Sequence, residues 1–187
     1  RVDGVVLAVT AQTAAELLSD VAPAAAHGAE SIGTASSAVV ALAFPGEVDL
    51  PENSGILVAT DESLDAKAFT LSSRKWPHLA DRSVATVRVS FGRFGDADVL
   101  HSSDADLVAA AQRDLTTVCG IGDTPLAAVT ARWHDGLPQY GPGHVERVAQ
   151  IEADIARCDG LEIAGAMLRG VGVPACVSAA TTAATRL

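Results

Sequence analysis

Residues Gly160 to Ala184, GLEIAGAMLRGVGVPACVSAATTAA, restrict the possible folds of this chain more than any other stretch. A short apolar strand, Leu161 to Ala164, breaks at Gly165. A brief loop then runs to Gly170-Val171-Gly172-Val173-Pro174, and an Ala-rich helix follows from Ala175 to the end. Glycine lets backbone approach a ligand closely or take a positive φ. Proline suits the first helical turn, where its missing amide costs no helical bond. The amides that open this helix, with the positive end of its dipole, therefore face whatever lies over the loop. An anionic or electron-rich group is favoured there. The same residues equally describe a plain tight turn into a terminal helix, so on their own they leave both readings open.

The rest of the chain mixes two periods. A strand is expected over 3–10 and a short helix over 11–19. Ser37 to Phe44 (SAVVALAF) reads as a strand stopped by Pro45-Gly46, and Ile56 to Ala59 with Ala66 to Ser72 as a strand pair. Val84 to Phe91 (VATVRVSF) alternates, which turns Arg88 away from its valine neighbours. Ser103 or Asp104 caps a helix with Leu107, Ala111, Leu115 and Val118 along one face. Ala127 to Trp133 is a further strand. His144 to Arg157 is a helix, its apolar face made of Val145, Val148, Ile151 and Ile155. This order predicts an α+β or mixed α/β fold, a mixed sheet with covering helices.

Composition excludes several functions. A formal charge of -10 makes a nucleic-acid surface a poor fit, and no nucleic-acid partner is expected. With 49% hydrophobic residues the chain is apolar, yet no run reaches the roughly 18 to 20 residues of a membrane span. No signal-peptide pattern opens it. At most peripheral membrane contact and a cytoplasmic location are expected. Cys119, Cys158 and Cys176 are odd in number and far apart, which fits buried, reduced thiols rather than zinc or disulfides. His134 and His144 lack further ligands at useful spacing, so no metal is expected and structural hydrogen bonds are. Trp76 and Tyr140 are expected in a core or interface. Arg74, Lys75, Arg88, Arg93 and Arg132 read as solvated strand or loop charges. The chain begins with Arg1 and enters an apolar strand almost at once, as a fragment of a longer protein would.

Four segments together resemble one family. They are TLSSRKWPH (Thr70 to His78), VRVSFGRFGD (Val87 to Asp96), ARWHDGLPQYGPGH (Ala131 to His144) and the Gly160 to Ala184 stretch. In this order they are similar to the C-terminal part of FAD-dependent protoporphyrinogen and coproporphyrinogen III oxidases, amine-oxidase-like flavoproteins. The Ala-rich composition suggests the actinobacterial type. The resemblance implies that 1–25 is a strand and helix of the FAD-binding domain and 26–157 a substrate-binding domain on a mixed sheet. It makes 158–187 the C-terminal FAD-contacting strand, loop and helix. The family's N-terminal dinucleotide-binding half has no counterpart here. FAD is the implied cofactor, contacted by Trp133, Ala166, Val171, Gly172 and Val173.

The implied reaction oxidises a porphyrinogen to a porphyrin by removing six electrons in three two-electron steps. Hydride passes to the flavin, and dioxygen is reduced to hydrogen peroxide. The flavin does the redox work, so no side chain is nominated as catalytic. Ala166 stands where wider amine oxidases carry an acidic residue, and Ala179-Ala180 where the last helix often carries S-G or Q-G. A large ring with carboxylate arms needs an apolar slot rimmed by cations. Wording such as L-P-Q-Y favours coproporphyrinogen III, with protoporphyrinogen IX as the alternative and an amine oxidase or desaturase as a further one. The 187 residues alone are expected to be inactive and colourless. Their exposed strand edges leave room for a homodimer.

Overall fold

The structure, a computed structural model, describes residues 2–80, 83–96 and 98–187. In chain order the elements are β1 (Val5–Leu7), α1 (Ala11–Leu18), α2 (Pro23–Glu30), β2 (Thr34–Pro45), β3 (Gly55–Leu57), β4 (Ala66–Leu71), α3 (Ser72–Lys75) and α4 (Pro77–Ala80). Then come β5 (Val84–Phe91), α5 (Asp104–Cys119), β6 (Ala127–Pro138), α6 (His144–Ile155), β7 (Leu161–Ile163) and α7 (Val173–Arg186). They form two compact units, one of Arg1–Ala35 with Asp135–Leu187 and one of Ser36–His134. The mixture of parallel and antiparallel pairing with packed helices is the α+β arrangement expected from the sequence.

In the first unit β1 and β7, far apart in sequence, pair in parallel, with Val5 opposite Leu161 and Leu7 opposite Ile163. Thr10 caps α1, its hydroxyl accepting from the Thr13 amide. The core joins Ala14 and Leu18 of α1, Ala25 and Ala29 of α2, and Val148, Ile151 and Ile155 of α6. Helices α2 and α6 approach closely because small residues meet large ones. A Cβ added at Gly28 would lie 2.7 Å from Ile151 Cγ1.

The second unit is a five-stranded sheet in the order β3-β4-β5-β2-β6, with β3–β4, β4–β5 and β5–β2 antiparallel. Alternation sets its faces. Val40, Leu42 and Phe44 of β2, Phe69 and Leu71 of β4, and Val87, Val89 and Phe91 of β5 are buried, and Leu107, Ala111 and Leu115 of α5 join their core. Arg88 points the other way and is exposed. Ser103 caps α5 by accepting from the Asp106 amide. Buried Asp114 accepts from the Ala66 amide at 2.8 Å, where the β4–β5 register shifts.

Several expectations shift. Within the first unit α2 and α6 bury their apolar faces in one core. Helix α2 was not anticipated at all. Ala22 offers no capping side chain; instead the Ala25 amide donates at 2.8 Å to Asp154, 129 residues beyond Ala25. On α6 Val145 is exposed and His144 takes the inward position. Trp76 and Tyr140 are 46% and 42% exposed, so neither is a core residue. The final helix starts two residues early, at Val173. Cys119, Cys158 and Cys176 are free thiols, half-buried rather than fully enclosed. Among the described residues no helix is long and apolar enough to cross a membrane.

The close approach of α2 and α6 gives a test. Alanine is a better helix former than glycine by about 1 kcal/mol, yet Gly28→Ala is expected to destabilise by about 1–3 kcal/mol through overpacking. In an Ile151→Ala background the same change costs less, so a double-mutant cycle read by urea unfolding should show a favourable coupling between the two substitutions.

Candidate functional site

The site is built on the link between β7 and α7. The Ala164 amide donates to the Leu7 carbonyl at 2.9 Å and prolongs the parallel pair by one rung. Gly165 follows at φ 123°, a conformation that favours glycine. Met167 and Leu168 then drop into the core of the first unit and anchor the loop from beneath.

A stacked pair of rings holds the same loop from the side. Tyr140 and His144 lie with ring centroids 4.0 Å apart and planes 13° from parallel. The Tyr140 hydroxyl donates to the Ala166 carbonyl. His144 is buried, and its Nε2 donates to the Leu168 carbonyl at 2.8 Å, which fixes the tautomer and leaves Nδ1 bare. Arg169 pairs with Glu152 at 2.6 Å. The two rings therefore hold alternate carbonyls, of Ala166 and Leu168, and the buried Met167 and Leu168 side chains fix the same short loop from below.

Beyond this brace the chain turns sharply. Gly170 sits at φ 157°, and an added Cβ would come within 2.6 Å of Ala175 Cβ, so only glycine fits. Gly172 differs. Its φ of -75° and ψ of 150° suit any residue, and an added Cβ would meet only Pro174 Cδ at 3.8 Å. Gly172 is the N-cap of α7, where Ser, Thr, Asp or Asn normally satisfies a helical amide. Here no side chain caps the helix, and its first turn holds no acidic residue. The Val173 and Ala175 amides thus have no acceptor within the helix, and Pro174 has no amide to offer. Val171 and Val173 flank the opening with 49% and 77% of their surface exposed. The result is an uncapped helix start between two exposed valines, with unspent donors and positive dipole potential.

The structure thus gathers Ala166, Val171, Gly172 and Val173 onto one braced loop and helix start. Trp133 belongs to the second unit, on β6, where it is 49% exposed. Its neighbour Arg132 turns to the other side of the strand, donating to Asp104 and to the Ser102 carbonyl, both at 2.6 Å. That guanidinium holds the Asp104 carboxyl below its ordinary pKa. Among the described residues no group of three or more His, Cys, Asp or Glu side chains could hold a metal.

The chemistry of the donors fits a flavin. Exposed amides and a helix dipole match the electron-rich carbonyl edge of an isoalloxazine, and the bare Gly172 leaves the space a Cβ would fill. The sequence predicts a structural hydrogen bond for His144, as observed, but neither its acceptor nor the Tyr140 contact. The acceptors of the two rings are backbone carbonyls 26 and 24 residues away, and backbone atoms leave no signature in side-chain order.

Three outcomes are expected. Gly170→Ala should destabilise by about 1–3 kcal/mol through the Ala175 clash. Gly172→Ser should keep stability or raise it by a few tenths of a kcal/mol, since serine caps at least as well as glycine. Tyr140 is the sole tyrosine, and burial pushes its phenol up, opposed by a backbone bond at Gly170. Its stabilising contribution is complete below the unfolded value of about 10 and lost as pH rises through the folded one. Phenolate absorbance of the folded chain should therefore titrate above its midpoint in urea.

The flavin containing amine oxidoreductase family model matches residues 1–187. A Mycobacterium tuberculosis protein named coproporphyrinogen III oxidase is 50% identical over 99% of this chain. The chain spans about 40% of the length of that relative. Among solved structures, a provisionally named protoporphyrinogen oxidase from Exiguobacterium superposes with a TM-score of 0.85 at 32% identity, covering 96% of this chain and 40% of its own. Cyclohexylamine oxidase from Brevibacterium oxydans shares the fold with a TM-score of 0.67 at 14% identity, covering 98% of this chain and 43% of that one. The chain belongs to the flavin containing amine oxidoreductase family.

Proposed function

We propose that this chain is the C-terminal part of an FAD-dependent coproporphyrinogen III oxidase of haem biosynthesis. The observation that carries the cofactor assignment is the uncapped start of α7 at Gly172, open to a ligand where the chain itself needs no glycine. The 50% identity to the mycobacterial relative supports coproporphyrinogen III as substrate. In this reading Val171, Gly172 and Val173 present amides and apolar surface to the isoalloxazine, and Ala166 lies along the cofactor. Trp133 contributes a further contact. The domain assignments follow: 1–25 and 158–187 serve the cofactor, and 26–157 the substrate.

Flavin, when bound, supplies the two-electron redox chemistry. Coproporphyrinogen III and three dioxygen molecules yield coproporphyrin III and three hydrogen peroxide molecules, a transfer of six electrons. The protein's own part is placement: Tyr140 and His144 hold the loop, and the free amides orient the ring edge. No side chain on this chain is required as a base. The site of action is cytoplasmic, with at most peripheral membrane contact, and a homodimer is compatible with it.

A second reading is protoporphyrinogen IX oxidation, favoured by the Exiguobacterium structure. It replaces two propionates by vinyl groups and leaves the chemistry unchanged. The full-length protein, assayed for porphyrin fluorescence on both porphyrinogens, should turn over coproporphyrinogen III faster. Faster turnover of protoporphyrinogen IX would reverse the preference, and no porphyrin from either would overturn the assignment. Gly172→Ser in the same protein should lower flavin content at purification, because the serine hydroxyl takes an amide meant for the cofactor. Unchanged flavin content would remove the loop from the site.

A further inference from the structure

Helix α7 begins where its own packing does not hold it. Of its residues only Ala183, near the far end, is buried, while Val173 and Val177 of the first turns are exposed. The direction of its free amides is therefore inherited from the loop before it. Side chains spaced four apart on and just before α6 meet that loop. Tyr140, His144, Val148 and Glu152 keep this spacing, and residues four apart share a helical face. Tyr140 and His144 hold the Ala166 and Leu168 carbonyls, and Val148 is buried in the same core as Met167 and Leu168. Glu152 continues the row and meets Arg169.

This last contact is of a different kind. Arg169 Nη2 donates to Glu152 Oε2 at 2.6 Å and Nε to Oε1 at 3.3 Å, so the guanidinium fork meets both carboxylate oxygens. Two such bonds fix orientation as well as distance. Arg169 is exposed and Glu152 half-buried. Exposed ion pairs add little to folding stability, and the first unit already has a core from α1, α2 and α6. What the pair fixes is place. Arg169 precedes Gly170, the sharp turn that rejects a side chain. Its side chain is the last in the loop tied to another element before α7 starts at Val173. The two charged residues also line the cleft between α6 and α7, together with Leu168, Ala175 and Ala179.

Resting on the flavin assignment above, we propose that Glu152 and Arg169 form a positioning pair for the oxidation, aiming the open amides of α7 at the isoalloxazine edge through the turn at Gly170. The pair acts without touching cofactor or porphyrinogen. Tyr140 and His144 hold the middle of the loop, and the ion pair holds its last step before the helix. Losing the pair leaves the fold intact and misdirects donors whose value depends on distance and angle. It therefore matters for flavin binding and turnover far more than for stability.

The test uses the full-length protein, with flavin dissociation followed by fluorescence and turnover followed on coproporphyrinogen III. Glu152→Gln and Arg169→Gln should each weaken FAD binding about tenfold and lower kcat more than they raise KM. The melting temperature measured without flavin should stay within about 2 °C of the unsubstituted protein. The double substitution should be no worse than either single one, because each already breaks the same contact. The exchanged pair, Glu152→Arg with Arg169→Glu, should regain most of the lost affinity. Unchanged FAD affinity and kcat in Glu152→Gln would remove the pair from the reaction and leave the flavin site standing. Additive losses with no recovery in the exchanged pair would mean that Arg169 acts alone, which overturns the pairing. Losses matched by a fall in the flavin-free melting temperature would reduce the pair to a structural role. An unsubstituted protein that holds no flavin ends both the cofactor assignment and this inference.

Discussion

A helix that begins without a cap depends on the loop before it being held rigid. The amides at the start of α7 gain nothing from their own chain, so their direction is set by residues 164–172. That segment is fixed by the extra rung between Ala164 and Leu7, by the burial of Met167 and Leu168, and by Tyr140 and His144 on alternate carbonyls. Each contact is modest. Together they orient donors before any ligand arrives, which is what an electrostatic site requires if binding is not to be spent on reorganisation.

Two glycines two residues apart show how such a site divides labour. Gly170 is required by the chain, since its backbone angle and the Ala175 neighbour both reject a side chain. Gly172 is not required by the chain, since its angles are ordinary and its surroundings open. In the proposed reading this residue, which forgoes a better cap without structural need, is kept for the flavin. A motif alone cannot separate these two cases; only the coordinates around each glycine can.

The second unit applies the same separation of tasks to a sheet. Period-two alternation commits Val87, Val89 and Phe91 to a core with α5 and turns Arg88 outward. Asp114 resolves the one irregularity in the ladder by accepting the Ala66 amide at the bulge. The buried face takes its core from period-two alternation and from α5.

Long, strongly patterned segments were legible in sequence. The β5 alternation, the α5 stripe with its Ser103 cap, and the strand–loop–helix at the end all appear where local pattern placed them, because the forces that form them act between near neighbours. What local pattern could not supply came from distant partners. Helix α2 depends on Asp154 and on the fit of Gly28 against Ile151. The inward turn of His144 depends on the Leu168 carbonyl. The order of residues by itself determined the family, the mixed fold and the likeness of the last loop to a flavin contact. The tertiary structure alone decided which glycine is free and which rings brace the loop. Those are questions of what fills the space beside a residue, and that space is bounded by parts of the chain remote in sequence.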